Sequence, residues 1–482
     1  MKRLDYLEPK NVFAFFEEIC SIPHGSGNTA ALGNYCVEFA KKRKLFCFQD
    51  DSGNVIIKKP ASPGYETASP VILQGHLDMV LEQLPGNTLD MHHQGLVLGV
   101  DGDWLHANGT TLGGDDGIAV AYMLALLDGS YAHPPLECVF TVDEEIGLLG
   151  AEALQVSELQ GRYLINLDSE EEGIFTVGCA GGLTGECRLP IKRTSQKGRI
   201  FTLTLDGLKG GHSGAEIHKE RGNALKLLGR LLARLDQTLS FGLISMEGGR
   251  VENAIPSQAV ISLLLDEEDE NLLLDEVALY QEILRHELKA SDGQVRLAVK
   301  KEETGEAQVL EPGSKALVIY LLQMLPNGVQ KRSVELQGLV QTSCNLGIAR
   351  ISKEELTLTY SIRSSVETEK MACSDQVQLC VEFLGGTYEA HGIYPGWEYE
   401  KNSHLQEIMI EEYRRLYGKE PQVIAIHAGL ECGIFSSRIP GLQCVSIGPD
   451  MQDIHSGKER LSISSTGRVW EFLLAVLKKL KD

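Results

Sequence analysis

A chain of 482 residues is long enough for two or three domains, and its 45 Lys and Arg against 67 Asp and Glu leave a net charge of −22. That balance argues against nucleic-acid or anionic-membrane binding, both of which need clustered cations, while 43% apolar and 23% charged residues are ordinary for a globular protein. The 11 cysteines are scattered singly with no CxxC pair, so neither a disulfide framework nor a thiolate metal site is indicated, and a reducing cytoplasm fits.

Acidic residues Asp5, Glu8, Glu17 and Glu18 interrupt any apolar core of an export signal at the start. Helical periodicity then runs from Val12 to Lys41, and Asn54 to Lys58 and Val71 to Leu73 are short apolar or β-branched runs. Gly117 to Leu127 is apolar nearly all round, which predicts a buried helix far too short to span a bilayer. Leu136 to Val142 and Tyr163 to Leu167 read as strands buried on both faces of a mostly parallel sheet. After the glycine-rich segment Gly178 to Gly182 the texture changes. Arg199 to Leu205 and Val260 to Leu265 alternate polar with apolar, and amphipathic helices are expected at Asn223 to Leu235 and Asn271 to Leu288. This predicts a β-α-β-β-α-β layer covered on one face. From Tyr394 to Trp397 the first texture returns, with a helix over Ser403 to Tyr417 and a buried strand over Cys444 to Ile447. The expectation is an α/β domain (residues 1–183 and 391–482) with helices on both faces of its sheet, split by an inserted α+β domain (residues 184–390).

Five places carry chemistry. His76 and Asp78 end one apolar run; Asp115 and Asp116 sit on a glycine-flanked turn before the buried helix. Asp143, Glu144 and Glu145 end a second run, Asp168 ends a third, and His455 lies in the loop after a fourth. Ligand sites of open α/β sheets lie outside the carboxyl ends of the strands, where these four endings converge. Carboxylates so crowded repel one another unless a cation neutralises them. Two His and three carboxylates without a thiolate suit Zn²⁺, Co²⁺ or Mn²⁺, and five ligands exceed the needs of one catalytic zinc. Two ions sharing Asp115 are therefore expected, with one of Glu144 and Glu145 unligated and free to serve as a general base.

Together HLDMV, GTTLGGDDG, TVDEEIG, NLDSEEEG, GLKGGHSGAEIH, NAIP, YPGW, HAGLECG and IHSGKER resemble the co-catalytic zinc metallopeptidases, in the branch of the aminoacyl-histidine or cytosol non-specific dipeptidases. The resemblance implies two Zn²⁺ per subunit, one bound by His76 and Asp168, the other by Glu145 and His455, with Asp115 bridging. Glu144 matches the general base, and Asp78 the carboxylate that orients the His76 imidazole. The peptide bond after Asp115 matches one that is cis in relatives. The inserted domain is similar to the family's lid, where His212 corresponds to a residue polarising the scissile carbonyl, contributed by the partner subunit in dimeric relatives. Asn253 matches a substrate loop, Arg363 an arginine that clamps the substrate's C-terminal carboxylate, and Glu431 is a candidate to receive the substrate's amine. The implied activity is hydrolysis of unblocked dipeptides, Xaa-His among them, by a cytoplasmic homodimer joined through the lid. Rivals on the same scaffold are a tripeptidase, a carboxypeptidase, an N-acyl amino acid deacylase and a silent peptide-binding relative.

Overall fold

Strands Val71–His76 and Leu136–Thr141 are buried at every position in the computed structural model, which describes Leu4 and residues 6–481. Alternating side chains point to opposite faces, so burial without alternation means that both faces of this sheet are covered. Eight strands form it, in the order Phe46–Gln49, Val55–Lys59, Leu136–Thr141, Val71–His76, Tyr163–Asn166, Gln443–Ser446, Ile174–Cys179 and Gln422–Ile426. The four central strands, from Leu136–Thr141 to Gln443–Ser446, run parallel. Their carboxyl ends consequently lie along one edge. Antiparallel neighbours flank them, Val55–Lys59 on one side and Ile174–Cys179 on the other.

Helix Gly114–Asp128 packs directly on Val71–His76 and is buried along almost its whole length, as its unbroken apolar sequence requires. The single periodic stretch expected from Val12 to Lys41 is two helices, Lys10–Cys20 and Ala30–Arg43. Pro23, Gly25 and Gly27 lie in the break between them, where neither residue type favours helix.

The chain divides into two units. The first holds residues up to Gly178, Tyr399–Ala425 and residues from Leu430 onward; the second holds Cys179–Glu398 and Ile426–Gly429. The expected boundaries at 183/184 and 390/391 fall inside strands Gly181–Pro190 and Thr387–Tyr394, which pair with one another in the second unit. The units divide instead at 178/179 and 398/399, outside both of these strands.

The second unit is built on a nine-stranded antiparallel sheet, larger than the expected β-α-β-β-α-β layer. Burial alternates along its strands, as in Ala259–Leu265 and Glu355–Ser364, and helices Ala224–Thr238, Glu270–Glu287, Pro312–Met324 and Glu367–Phe383 pack on it. Its apolar face encloses Phe201, Leu203, Leu228, Leu263, Tyr280, Leu346, Tyr360 and Val377 in one core.

Candidate active site

His76 is the last residue of its strand, Glu144 and Glu145 follow Leu136–Thr141 within four residues, and Asp168 follows Tyr163–Asn166 by two. His455 stands on the turn between two short strands, Met451–Gln452 and Arg460–Ser462, which pair with each other and dock on Trp104–Ala107. It adopts the left-handed conformation, with φ of 56°. Asp115 arrives from the opposite direction. The backbone there leaves helical geometry (φ −84°, ψ 106°), and the Asp115–Asp116 bond is cis.

These placements converge. His76 Nε2 lies 3.0 Å from Asp115 Oδ1 and 3.7 Å from Asp168 Oδ1, while His455 Nε2 lies 2.8 Å from Glu145 Oε1 and 3.3 Å from Asp115 Oδ2. Asp115 thus turns one oxygen toward each imidazole. His76, Asp115 and Asp168 form one group whose ligand atoms lie within 4.8 Å of one another; Asp115, Glu145 and His455 form a second. Asp78 sits beneath, its Oδ1 3.5 Å from His76 Nδ1 and 3.0 Å from the amide of Glu144, its Oδ2 taking the Ser26 hydroxyl at 2.8 Å and the Glu145 amide at 3.3 Å. His76 Nδ1 lies closer to the Asp78 backbone carbonyl, at 2.9 Å, so Asp78 steadies the imidazole mainly through its main chain and the Glu144–Glu145 turn through its carboxylate.

The electrostatics are those of a crowded acidic cluster. Burial pushes Glu144 well above the ordinary carboxylate range, with Asp168, Glu431 and Asp115 adding repulsion. Asp168 is raised to about 6 by burial and by Asp115 and Glu145, against the attraction of His76. The carboxylates of Asp115 and Glu145 lift His455 to about 10. Burial opposes protonation of His76, yet Asp115, Asp168 and Asp78 hold it well above the usual imidazole range. The cluster calls for positive charge at two points, and the imidazoles supply it by taking up protons. Two nitrogen and three carboxylate ligands with no thiolate fit divalent cations there, which would displace those protons.

Two neighbours act in ways the sequence reading did not assign: Glu459, which it did not single out, and Asp116, which it named without a role. Glu459, 3% exposed, accepts from the backbone amides of Leu112 (2.7 Å), Gly113 (3.2 Å), Gly114 (2.7 Å) and Asp115 (3.4 Å), fixing the turn that presents Asp115. Asp116 takes the His76 amide at 3.1 Å and ties that turn to the end of the strand. Both depend on folding across long sequence separations; the only local trace is a second carboxylate close to each ligand.

Glu431 has no exposed surface; its Oε2 accepts from Gln74 and from Thr141 at 2.7 Å, beneath the strand ends, while its Oε1 is buried without a hydrogen-bond partner.

The second unit gathers the remaining residues. His212 pairs with Ala254, beside Asn253, in a two-stranded ladder, and the Asn253 carbonyl accepts from the Ser213 amide at 2.8 Å. His212 Nδ1 accepts from the amides of Gly214 (3.3 Å) and Ala215 (3.0 Å), which leaves Nε2 to carry the ring proton. Burial and then the charge of Arg363 lower its pKa, holding it neutral as a donor. Arg363, 9% exposed, donates from Nη1 to the Tyr394 hydroxyl at 2.8 Å. Tyr394 belongs to the YPGW segment noted in the sequence; its contact with Arg363 was not foreseen.

A sheet-edge cluster of histidines and carboxylates around one shared aspartate is the arrangement of a metal-dependent hydrolase. Residues 72–479 match the model of peptidase family M20/M25/M40, and the chain belongs to that family and is a peptidase. It is 39% identical over 483 residues to the cytosol non-specific dipeptidase of Escherichia coli (strain K12), covering 100% of this chain and 99% of that one. The crystal structure of the aminoacylhistidine dipeptidase from Vibrio alginolyticus superposes with a TM-score of 0.93 at 38% identity, over 99% of this chain and 98% of the other. Aminopeptidase PepT from Bacillus cereus shares the fold, with a TM-score of 0.56 at 15% identity over 99% and 100% of the two chains.

Proposed function

We propose that this peptidase hydrolyses unblocked dipeptides, Xaa-His among them, with two Zn²⁺ ions as its working metals and Co²⁺ or Mn²⁺ as possible substitutes. The observation that carries the reading is the two-sided Asp115 carboxylate between His76 and His455. His76 and Asp168 would hold one ion, Glu145 and His455 the other, and Asp115 both. When bound, the ions polarise the scissile carbonyl and acidify the attacking water. Glu144, buried among other carboxylates, has the raised basicity to take the water's proton and pass it to the leaving amine. His212 donates from Nε2 to the oxygen on which negative charge develops. Arg363 pairs with the substrate's C-terminal carboxylate and so sets peptide length, and Asn253 lines the substrate loop. Full-length similarity to two dipeptidases supports this over a tripeptidase, carboxypeptidase or deacylase.

The E. coli relative is named for the cytosol, and we infer the same compartment here. No described helix is long and apolar enough to cross a membrane. Tyr320, Met324, Leu379 and Phe383 expose apolar surface on two helices of the second unit, which supports a homodimer formed through that unit; sedimentation equilibrium tests it.

The deciding experiment is a panel of free, blocked and longer peptides offered to metal-stripped and reconstituted protein. Free dipeptides should be cleaved only after reconstitution, and turnover of blocked or longer peptides alone would overturn the reading. Glu144→Ala should keep its metal and lose about 10²–10⁴-fold in kcat.

A further inference from the structure

Arg363 and Ser343 are direct cross-strand partners, so their side chains stand on the same face of the second unit's sheet. The next strand places Gly182 opposite Arg363, and the strand beyond pairs Tyr394 with Gly182. A Cβ at Gly182 would meet the Tyr394 hydroxyl at 2.5 Å; the missing side chain is what lets that hydroxyl reach Arg363. One row across four strands thus carries Ser343, Arg363, a gap and Tyr394.

His427 joins the row from the short segment Ile426–Gly429, which returns to this unit after the chain has left it. The amide of Ala180 donates to the carbonyls of Ile426 and Ala428 on either side, at 3.2 Å and 3.0 Å, so the segment is pinned. His427 is 8% exposed, its Nε2 is 2.7 Å from Ser343 Oγ, and its Nδ1 is buried without a hydrogen-bond partner. Arg363 Nε is likewise buried and unpartnered. Two buried unpaired nitrogens on the residues flanking Ser343 are costly unless a ligand completes them. Burial and then the Arg363 charge lower the His427 pKa to about 3, against the pull of the Val340 backbone, so the ring is neutral. The tautomer in which Ser343 donates to Nε2 puts the ring proton on Nδ1, an uncharged N–H beside a guanidinium. In that tautomer both groups donate, and the Arg363 side chain bonds the Tyr394 hydroxyl rather than a carboxylate. The chemistry they fit is a compact anion.

We propose that His427, held by Ser343, is a second specificity-determining donor for the C-terminal carboxylate of the substrate, acting beside Arg363. This rests on the reading of Arg363 as the carboxylate clamp. Arg363 supplies the charge, and His427 supplies a directional hydrogen bond to one carboxylate oxygen.

The test compares hydrolysis of Ala-Leu and of Ala-Leu amide by the zinc-loaded full chain. His427→Ala should raise KM for Ala-Leu about tenfold with kcat little changed, and should leave kcat/KM for the amide untouched, cutting the acid-over-amide preference by the same factor. His427→Asn, which sets an amide donor close to the Nδ1 position, should recover part of that preference. Equal losses on acid and amide, or an unchanged preference while Arg363→Met abolishes it, would overturn the role of His427 and leave the Arg363 reading standing. An unchanged preference in Arg363→Met would overturn both.

Discussion

Glu459 shows how far a single carboxylate outside the ligand set can govern the site. Its two oxygens satisfy four successive amides of the turn that delivers Asp115. In Glu459→Gln one of those oxygens becomes an NH₂ that faces donors, leaving two amides unpaired. A cost of about 1–3 kcal/mol per orphaned group and a 10–100-fold loss of metal affinity are expected, read by thermal melting and by competition with a chelator. Wild-type affinity in the variant would show that the turn holds its shape unaided. Glu431 offers a pH test. Burial, with Asp168 and Asp78 adding to it, raises its pKa to about 7 against the attraction of His76 and the Thr141 hydrogen bond. The folded state therefore holds an extra proton between the unfolded value of about 4.3 and 7, and stability falls as pH rises through that window. Glu431→Gln keeps an acceptor for Gln74 and Thr141 and removes the loss. Metal-stripped Glu431→Gln should melt above its parent at about pH 8, with the gap closing toward about pH 4. The clustered residues were legible in the sequence because His76, Glu145 and Asp168 follow apolar runs, Asp115 precedes one and His455 lies in the loop after another. Glu459 and His427 were not, because each acts on a partner distant in sequence: a turn 344 residues earlier for Glu459, and Ser343, 84 residues earlier, for His427.

Among the elements, the contact between strand Val71–His76 and helix Gly114–Asp128 sets the spacing of His76 and Asp115. Gly75 makes it possible, since a Cβ there would meet Asp116 Oδ2 at 2.5 Å and the Ala119 Cβ at 2.6 Å. Gly75→Val should drive the helix off the strand and separate the two ligands. A displacement of about 1 Å can cost on the order of 10²-fold in turnover, which steady-state kinetics at saturating metal would reveal. The central strands and the buried helix could be read from uninterrupted apolar runs. The second unit's sheet was underestimated because strand Arg296–Leu310 is largely exposed and reads KKEETGE at its centre. An edge strand wet on both sides carries no period-two pattern.

At the scale of the whole molecule, acidity is unevenly consequential. A net charge of −22 spread over the surface is mainly solubilising, whereas the buried carboxylates at the strand ends are a local liability. Metal binding to the folded state alone should relieve it, so stripping the ions should lower the melting temperature and adding Zn²⁺ back should raise it in proportion to the logarithm of free metal. A melting temperature indifferent to Zn²⁺ would argue against a folded-state site. The order of the first unit's sheet has a temporal meaning as well. Gln443–Ser446 lies between Tyr163–Asn166 and Ile174–Cys179, and His455 and Glu459 come later still in the chain. A ribosome adding about 5–20 residues per second makes the first three ligand-bearing strands tens of seconds before the strand that completes the sheet. Through that interval the nascent first unit has a slot in its sheet and four of the five proposed ligands, His455 being still unmade. The complete constellation of five residues therefore belongs to the finished polypeptide, since His455 is made only after the second unit.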